Sequence, residues 1–205
     1  MSLHLTIKVR GLAGVKASLE RLDGDLRGRA MAAAINKTAQ KARAEISRAV
    51  RQEYAVDATR VRNAIELRNA SAKPDGSLTA WVNIFGSSSK RGRSLNLIHF
   101  LEKQVTLAER RRRAKAGTQQ QLRFRIKRSG PLITIPGAFI GNQGRTIFVR
   151  INPDDPKSPI RPLQVIDIQQ MFGSRKIRTR VLNKINADLP TEVQRAVRMI
   201  LARNA

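Results

Sequence analysis

The sequence predicts an α+β fold: an N-terminal strand and long helix, a central and mostly antiparallel sheet with a basic loop or arm, and a long C-terminal helix. Three observations predict it. Apolar residues recur at steps of three or four over 27–54 and again over 177–202, the period of a helix with one buried stripe. Between those stretches, short runs alternate apolar and polar residues, as strands with one buried face do. The strand–helix–strand alternation of a parallel sheet is missing, and so is a Gly-rich phosphate loop.

Leu3, Leu5, Ile7 and Val9 share one face of an alternating stretch that reads as a strand, broken by Gly11 to Gly14. Val15 to Leu26 then reads as a short helix with Leu19 and Leu22 inward. Asp23 and Asp25 suit the positive end of a helix. No Gly or Pro interrupts Arg29 to Tyr54, where Ile35, Thr38, Ala42, Ile46, Ala49, Val50 and Tyr54 define the inward face. The alanines of this stretch favour helix and let a second backbone approach closely.

Asp57 fits the N-cap of a further helix over Ala58 to Leu67. Leu78 to Phe85 alternates as a strand, with Leu78, Ala80, Val82 and Ile84 on one side and Trp81 on the other. Gly86 to Ser94 has the composition of a flexible loop, and Leu95 to Val105 is ambiguous, with room for a helical turn. In Gln121 to Lys127, Leu122, Phe124 and Ile126 alternate with Arg123, Arg125 and Lys127, which predicts a strand with one basic side. Leu132–Ile135, Thr146–Ile151 and Ile160–Ile166 are further strand candidates, and Pro153, Pro156, Pro159 and Pro162 mark an irregular crossing. Ile177 to Ala202 is helical, with Val181, Ile185, Val193, Val197 and Ile200 on one stripe. Pro190 is expected to kink or divide it, with Asp188 as cap of the second half.

The 205 residues suit a single domain with an arm at about 86–121. Hydrophobic residues make up 41% but aromatics only 4%, so the core rests on Ile, Val, Leu and Ala. Such a core stores less burial energy per residue, and neighbouring subunits are expected to supply part of the stability. With no cysteine, disulfides and thiolate metal sites are excluded. The first ten residues lack the apolar run of a secretory signal, and no apolar run reaches the roughly 18 residues of a membrane span, so synthesis in a cytoplasm is expected.

The residue types of chemistry are scattered. His4 lies on a predicted strand and His99 in an apolar context, neither with a carboxylate at the spacing of a metal site or triad. Asp154 and Asp155 sit in a Pro-rich turn with too few oxygen ligands for calcium. No serine lies in a nucleophile elbow. No catalytic residue, cofactor or metal is therefore expected.

Charge is the strongest signal. Forty Lys and Arg face fifteen Asp and Glu, a net charge of +25. Residues 90–128 hold 13 basic and 2 acidic residues, almost half of the excess. The candidate binding residues are Lys90, Arg91, Arg93, Arg110, Arg111, Arg112, Arg113, Lys115, Arg123, Arg125, Lys127 and Arg128. Flexible Lys and Arg follow a phosphate backbone without reading bases. Phe100 and Phe124 are the only aromatics in 90–128, which argues against base stacking. A solvated loop is the simpler reading of the same residues. A free, sequence-independent nucleic-acid-binding protein is the alternative that charge alone supports.

Several short stretches, in order, resemble the prophage minor tail protein Z family. Ala34-Ile-Asn-Lys-Thr-Ala39, Tyr54 and the Val56 to Ile65 segment resemble its front. Pro136-Gly-Ala-Phe-Ile140 and Ile147-Phe-Val-Arg150 resemble its middle, and Pro159-Ile160 with Gln170-Met-Phe172 its end. Val165-Ile-Asp167 departs from the pattern, as does 102–120. The resemblance implies a tail-completion protein that is one copy of a ring, six-fold if the tail's symmetry applies, at the head-proximal end of the tail. It implies assembly in the host cytoplasm and residence in the virion. Its partners would be further copies, the tail terminator, tail tube or tape measure, and DNA through non-specific phosphate contacts. It offers no catalytic residue. The Pro136–Ile140 piece itself is either a tight turn with Phe139 in the core or a subunit contact.

Overall fold

The structure, a computed structural model, describes residues 3–8, 20, 22, 24–70, 78–86, 94–102, 108, 111–112, 122–152 and 154–203. Its frame is a pair of long helices. Helix α1 (Gly24–Glu53) buries every residue assigned inward by periodicity, from Ile35 to Val50, and Tyr54 just beyond it. Helix α4 (Arg175–Arg203) runs antiparallel along α1 and buries Val181, Ile185, Val193 and Val197 against it, with Ile200 half-buried. Ala30, Ala34, Ala39, Ala42 and Ala49 are all buried on α1, which is what lets the two backbones approach.

A three-stranded antiparallel sheet covers another side of α1. Its order is β1 (Leu3–Lys8), β3 (Thr79–Ile84), β2 (Ile65–Arg68), with Leu3 and Ile65 both opposite Ile84. Ala80, Val82 and Ile84 are fully buried and Trp81 is exposed, as the alternation requires. Helix α2 (Ala58–Asn63) begins at Asp57, whose carboxylate accepts from the Thr59 amide at 2.7 Å. It stops before Leu67, where the sequence placed its end, because Ile65–Arg68 pairs with β3 instead. The short helix expected over Val15–Leu26 lies largely outside the described residues. Gly24 to Leu26 belong to α1, and Leu22 is buried.

Among the described residues, the remaining strands form three further antiparallel sheets, of two, two and three strands, rather than one. They enclose a second core of Leu97, Ile98, Leu122, Phe124, Ile140 and Ile147. Strand β4 (Leu95–Asn96) leads into a 3₁₀ turn over Leu97–Phe100, which resolves the ambiguous 95–105 segment as far as Glu102. The basic strand is shorter than its alternation predicts. Only β5 (Arg123–Phe124) forms a strand, paired with β6 (Ile133–Thr134); the chain bends at Ile126, and Lys127 makes an isolated bridge to Tyr54. Leu122, Phe124 and Ile126 still face inward, Ile126 only half-buried.

Strand β8 (Thr146–Arg150) lies between β7 (Phe139–Gly141) and β9 (Ile160–Pro162). The run 160–166 serves two sheets, because β10 (Gln164–Val165) pairs with β4. Leu163 is the hand-over: its amide donates to Ile147 O at 2.9 Å and its carbonyl accepts from Leu97 at 3.0 Å. In the Pro136–Ile140 piece, Gly137 takes φ +69, as a tight turn needs. Ile140, not Phe139, enters the core. Phe139 is half-buried and stacks on Phe148 with ring centres 6.0 Å apart. Gly141 makes that stack possible, since a Cβ there would lie 2.8 Å from the Phe148 ring.

Helix α3 (Ile168–Gly173) opens with a capping box. The Asp167 carboxylate accepts from the Gln170 amide at 2.7 Å, and Gln170 Oε1 accepts from the Asp167 amide at 3.0 Å. Helix α4 is not divided at Pro190. Proline there removes one hydrogen-bond donor. Buried Leu189 and Val193 hold both flanks of the site against α1. Asp188 is not a cap; its carboxylate faces Lys184 at 2.9 Å and Lys41 at 3.7 Å.

Candidate partner-binding surface

The two long helices sort their charges. The acids near the seam point into it: Glu45, Asp188 and Glu192 are buried. Glu192 meets Lys41 at 2.6 Å. Glu45 accepts from Arg180 Nε at 2.7 Å and also from Arg48. Farther along, Lys176 meets Glu53 at 2.7 Å. That hydrogen bond holds the Glu53 carboxyl below the ordinary carboxylate range, and the bond to Glu192 raises the Lys41 ammonium above its ordinary value. Buried carboxylates tolerate this position only because cations reach them from both helices.

The bases of α4 are outside. Arg175, Lys176, Arg178, Arg180, Lys184, Arg195, Arg198 and Arg203 are all exposed. Seam pairing uses the inner few, so the rest of the helix presents positive charge to solvent.

The sequence-selected cations fall into three groups. Lys90, Arg91, Arg93, Arg110, Arg113 and Lys115 lie outside the described residues. Arg111 and Arg112 have helical backbone and are exposed. The last four follow one another along the 122–130 segment, which meets the end of α1 at Lys127 and Arg128. Arg123 is exposed, 3.8 Å from Glu102, and Lys127 bridges backbone to backbone with Tyr54. Arg125 reaches back to Gly130 O at 3.2 Å. Arg128 donates from Nε to Arg51 O at 2.6 Å and from its amide to Glu53 O at 2.9 Å. Arg128 thus satisfies two carbonyls at the end of α1, and its charge sits at the negative end of the helix dipole. Arg125 and Arg128 fasten the 122–130 segment, a role that alternation alone does not reveal.

One concave surface carries cations that the sequence did not single out. A groove of about 440 Å³ lies between the first half of α1 and the last turns of α4. Its floor is apolar: Ala34, Ala196, Met199 and Ile200. Its rim is Arg29, Lys37, Arg195 and Arg203, all exposed. The single acid in its wall, Glu192, is bonded to Lys41. Residues 173–205 carry 8 basic and 2 acidic residues, a signal for this face, but it takes the antiparallel helix pairing to bring Arg29 and Lys37 to the same rim.

No described helix is long and apolar enough to cross a membrane. Two helices with acids drawn inward and bases outward define a strongly basic α+β protein. The chain belongs to the family Prophage minor tail protein Z (GPZ), whose model matches residues 9–203. It is therefore a phage minor tail protein, a component of the virion that works alongside other tail proteins. Neither a curated protein nor a solved structure matches it significantly.

Proposed function

We propose that this chain completes the phage tail as one copy of a ring at the head-proximal end, without catalysis. In that reading, the basic stretch over 90–128 faces DNA or acidic tail proteins. The observation that carries it is charge that the molecule cannot cancel alone. Even if all fifteen carboxylates were paired, 25 cations would remain. The buried seam acids already have their partners, so further neutralisation must come from another molecule. Six copies would gather about 150 positive charges around one axis, where a polyanion passing through relieves their repulsion.

Replacing Arg110, Arg111, Arg112 and Arg113 together by Gln tests it. Arg111 and Arg112 are exposed, so the fold is expected to survive, while infectivity or DNA retention falls. Full activity in both assays makes the run a bystander. The alternative, a free nucleic-acid-binding protein, requires tight and steeply salt-dependent DNA binding by the isolated chain.

A further inference from the structure

We propose that neighbouring copies are joined by the turn between β8 and β9 of one protomer seated in the α1–α4 groove of the next. The inference rests on the ring reading and names the contact that would build it.

The turn over 151–159 is the groove's chemical complement. It presents Ile151, 65% exposed, and Ile160 at its far edge, 49% exposed. Between them stand Asp154 and Asp155, both exposed and without an ion pair among the described residues, and one cation, the exposed Lys157, so that the turn keeps one net negative charge. In a chain of net charge +25, neighbouring exposed carboxylates flanked by bare isoleucines are a distinct feature. The groove inverts the pattern, with an apolar floor ending at Met199, 49% exposed, and four cations around it. Apolar meets apolar and two acids meet the basic rim.

The turn is also held in shape. Ile151 N donates to Pro159 O at 3.0 Å, Asn152 N to the buried Ser158 hydroxyl at 2.9 Å, and Ser158 N to Asp155 O at 3.0 Å. A braced projection loses little freedom on docking. Because turn and groove are different surfaces, the contact is head-to-tail. Such contacts propagate from copy to copy and give a ring when the rotation closes. Opposite charge at its edge also selects against pairing groove to groove, which would bring eight cations together.

The experiment measures self-association of the full chain by sedimentation and native mass spectrometry. The first variant is Asp154→Lys with Asp155→Lys; the second is Arg195→Glu with Arg203→Glu; the third combines all four. All four positions are exposed, and circular dichroism confirms folding of each variant. A control, Arg175→Glu with Arg178→Glu, changes net charge equally on α4 away from the groove. The expected result is association weakened about tenfold or more by the first two, restored in the third and unaffected by the control.

If wild type associates and the first two variants match it, the contact is wrong while the ring stands. A wild type that stays monomeric at every concentration removes the ring reading and this contact with it. If the groove variant loses DNA binding while copies still associate, the groove serves nucleic acid and the proposal is overturned.

Discussion

Replacing Asn36 by Ala removes a two-point clamp between α1 and the chain that leaves β2. Asn36 Nδ2 donates to Ala70 O at 3.1 Å, and the Ala70 amide donates back to Asn36 Oδ1 at 2.6 Å. Ala70 is buried, so the substitution leaves one N–H and one C=O without partners. Each such group costs roughly 1–3 kcal/mol when fully buried. The site is partly open, and water recovers some of that, which brings the expected loss to about 2–3 kcal/mol. For a chain of this length that corresponds to a melting temperature lower by about 5–10 °C. Urea unfolding gives the free energy, and amide exchange at Ala70 shows whether the loss is local. Asn36→Asp keeps the acceptor but faces a carbonyl with a carboxylate, so it should recover little. A loss under about 0.5 kcal/mol for Asn36→Ala refutes the clamp.

Ile46→Asp places a carboxylate at a fully buried position of α1 and is expected to prevent folding or assembly; a soluble, assembled variant would disprove the inward face. Lys176→Met removes the partner of Glu53. Glu53 has a carboxyl lowered in the folded state, so its contribution is present above the ordinary carboxylate range and is lost as pH falls through the lowered value. The variant should be slightly less stable at neutral pH, by under about 1 kcal/mol, and equal to wild type in strong acid. A stability difference that grows on acidification would contradict the pairing.

The helices were readable because a buried stripe repeats within each turn: Ile35 to Tyr54, and Val181 to Val197, needed no distant information. The α2–β2 boundary was not, because what turns Ile65–Arg68 into a strand is β3, beyond the intervening loop. For a similar reason, Pro190 does not divide α4. Its local cost is outweighed by packing of α4 on α1 over its whole length. The Asp167 cap went unread, although Asp167 and Gln170 have the spacing of a capping box. The family pieces that carried the resemblance include structural fasteners: Asn36 lies in one, and Ile147 in another is bonded through both backbone groups to the Asn96 side chain. For the candidate surface, the sequence located an excess of charge but not its arrangement. It could not show Arg125 and Arg128 turning to backbone carbonyls, nor Arg29 and Arg203 meeting across a groove formed by residues from opposite ends of the chain.

The most direct test is electron microscopy of assembled tails carrying a dense label on this subunit. Image averages should show several labels arranged about the tail axis at the end that joins the head. Labels along the tail shaft, at its distal tip, or present as a lone copy off the axis would contradict the proposed position and the multi-copy wall of positive charge on which the proposed function rests.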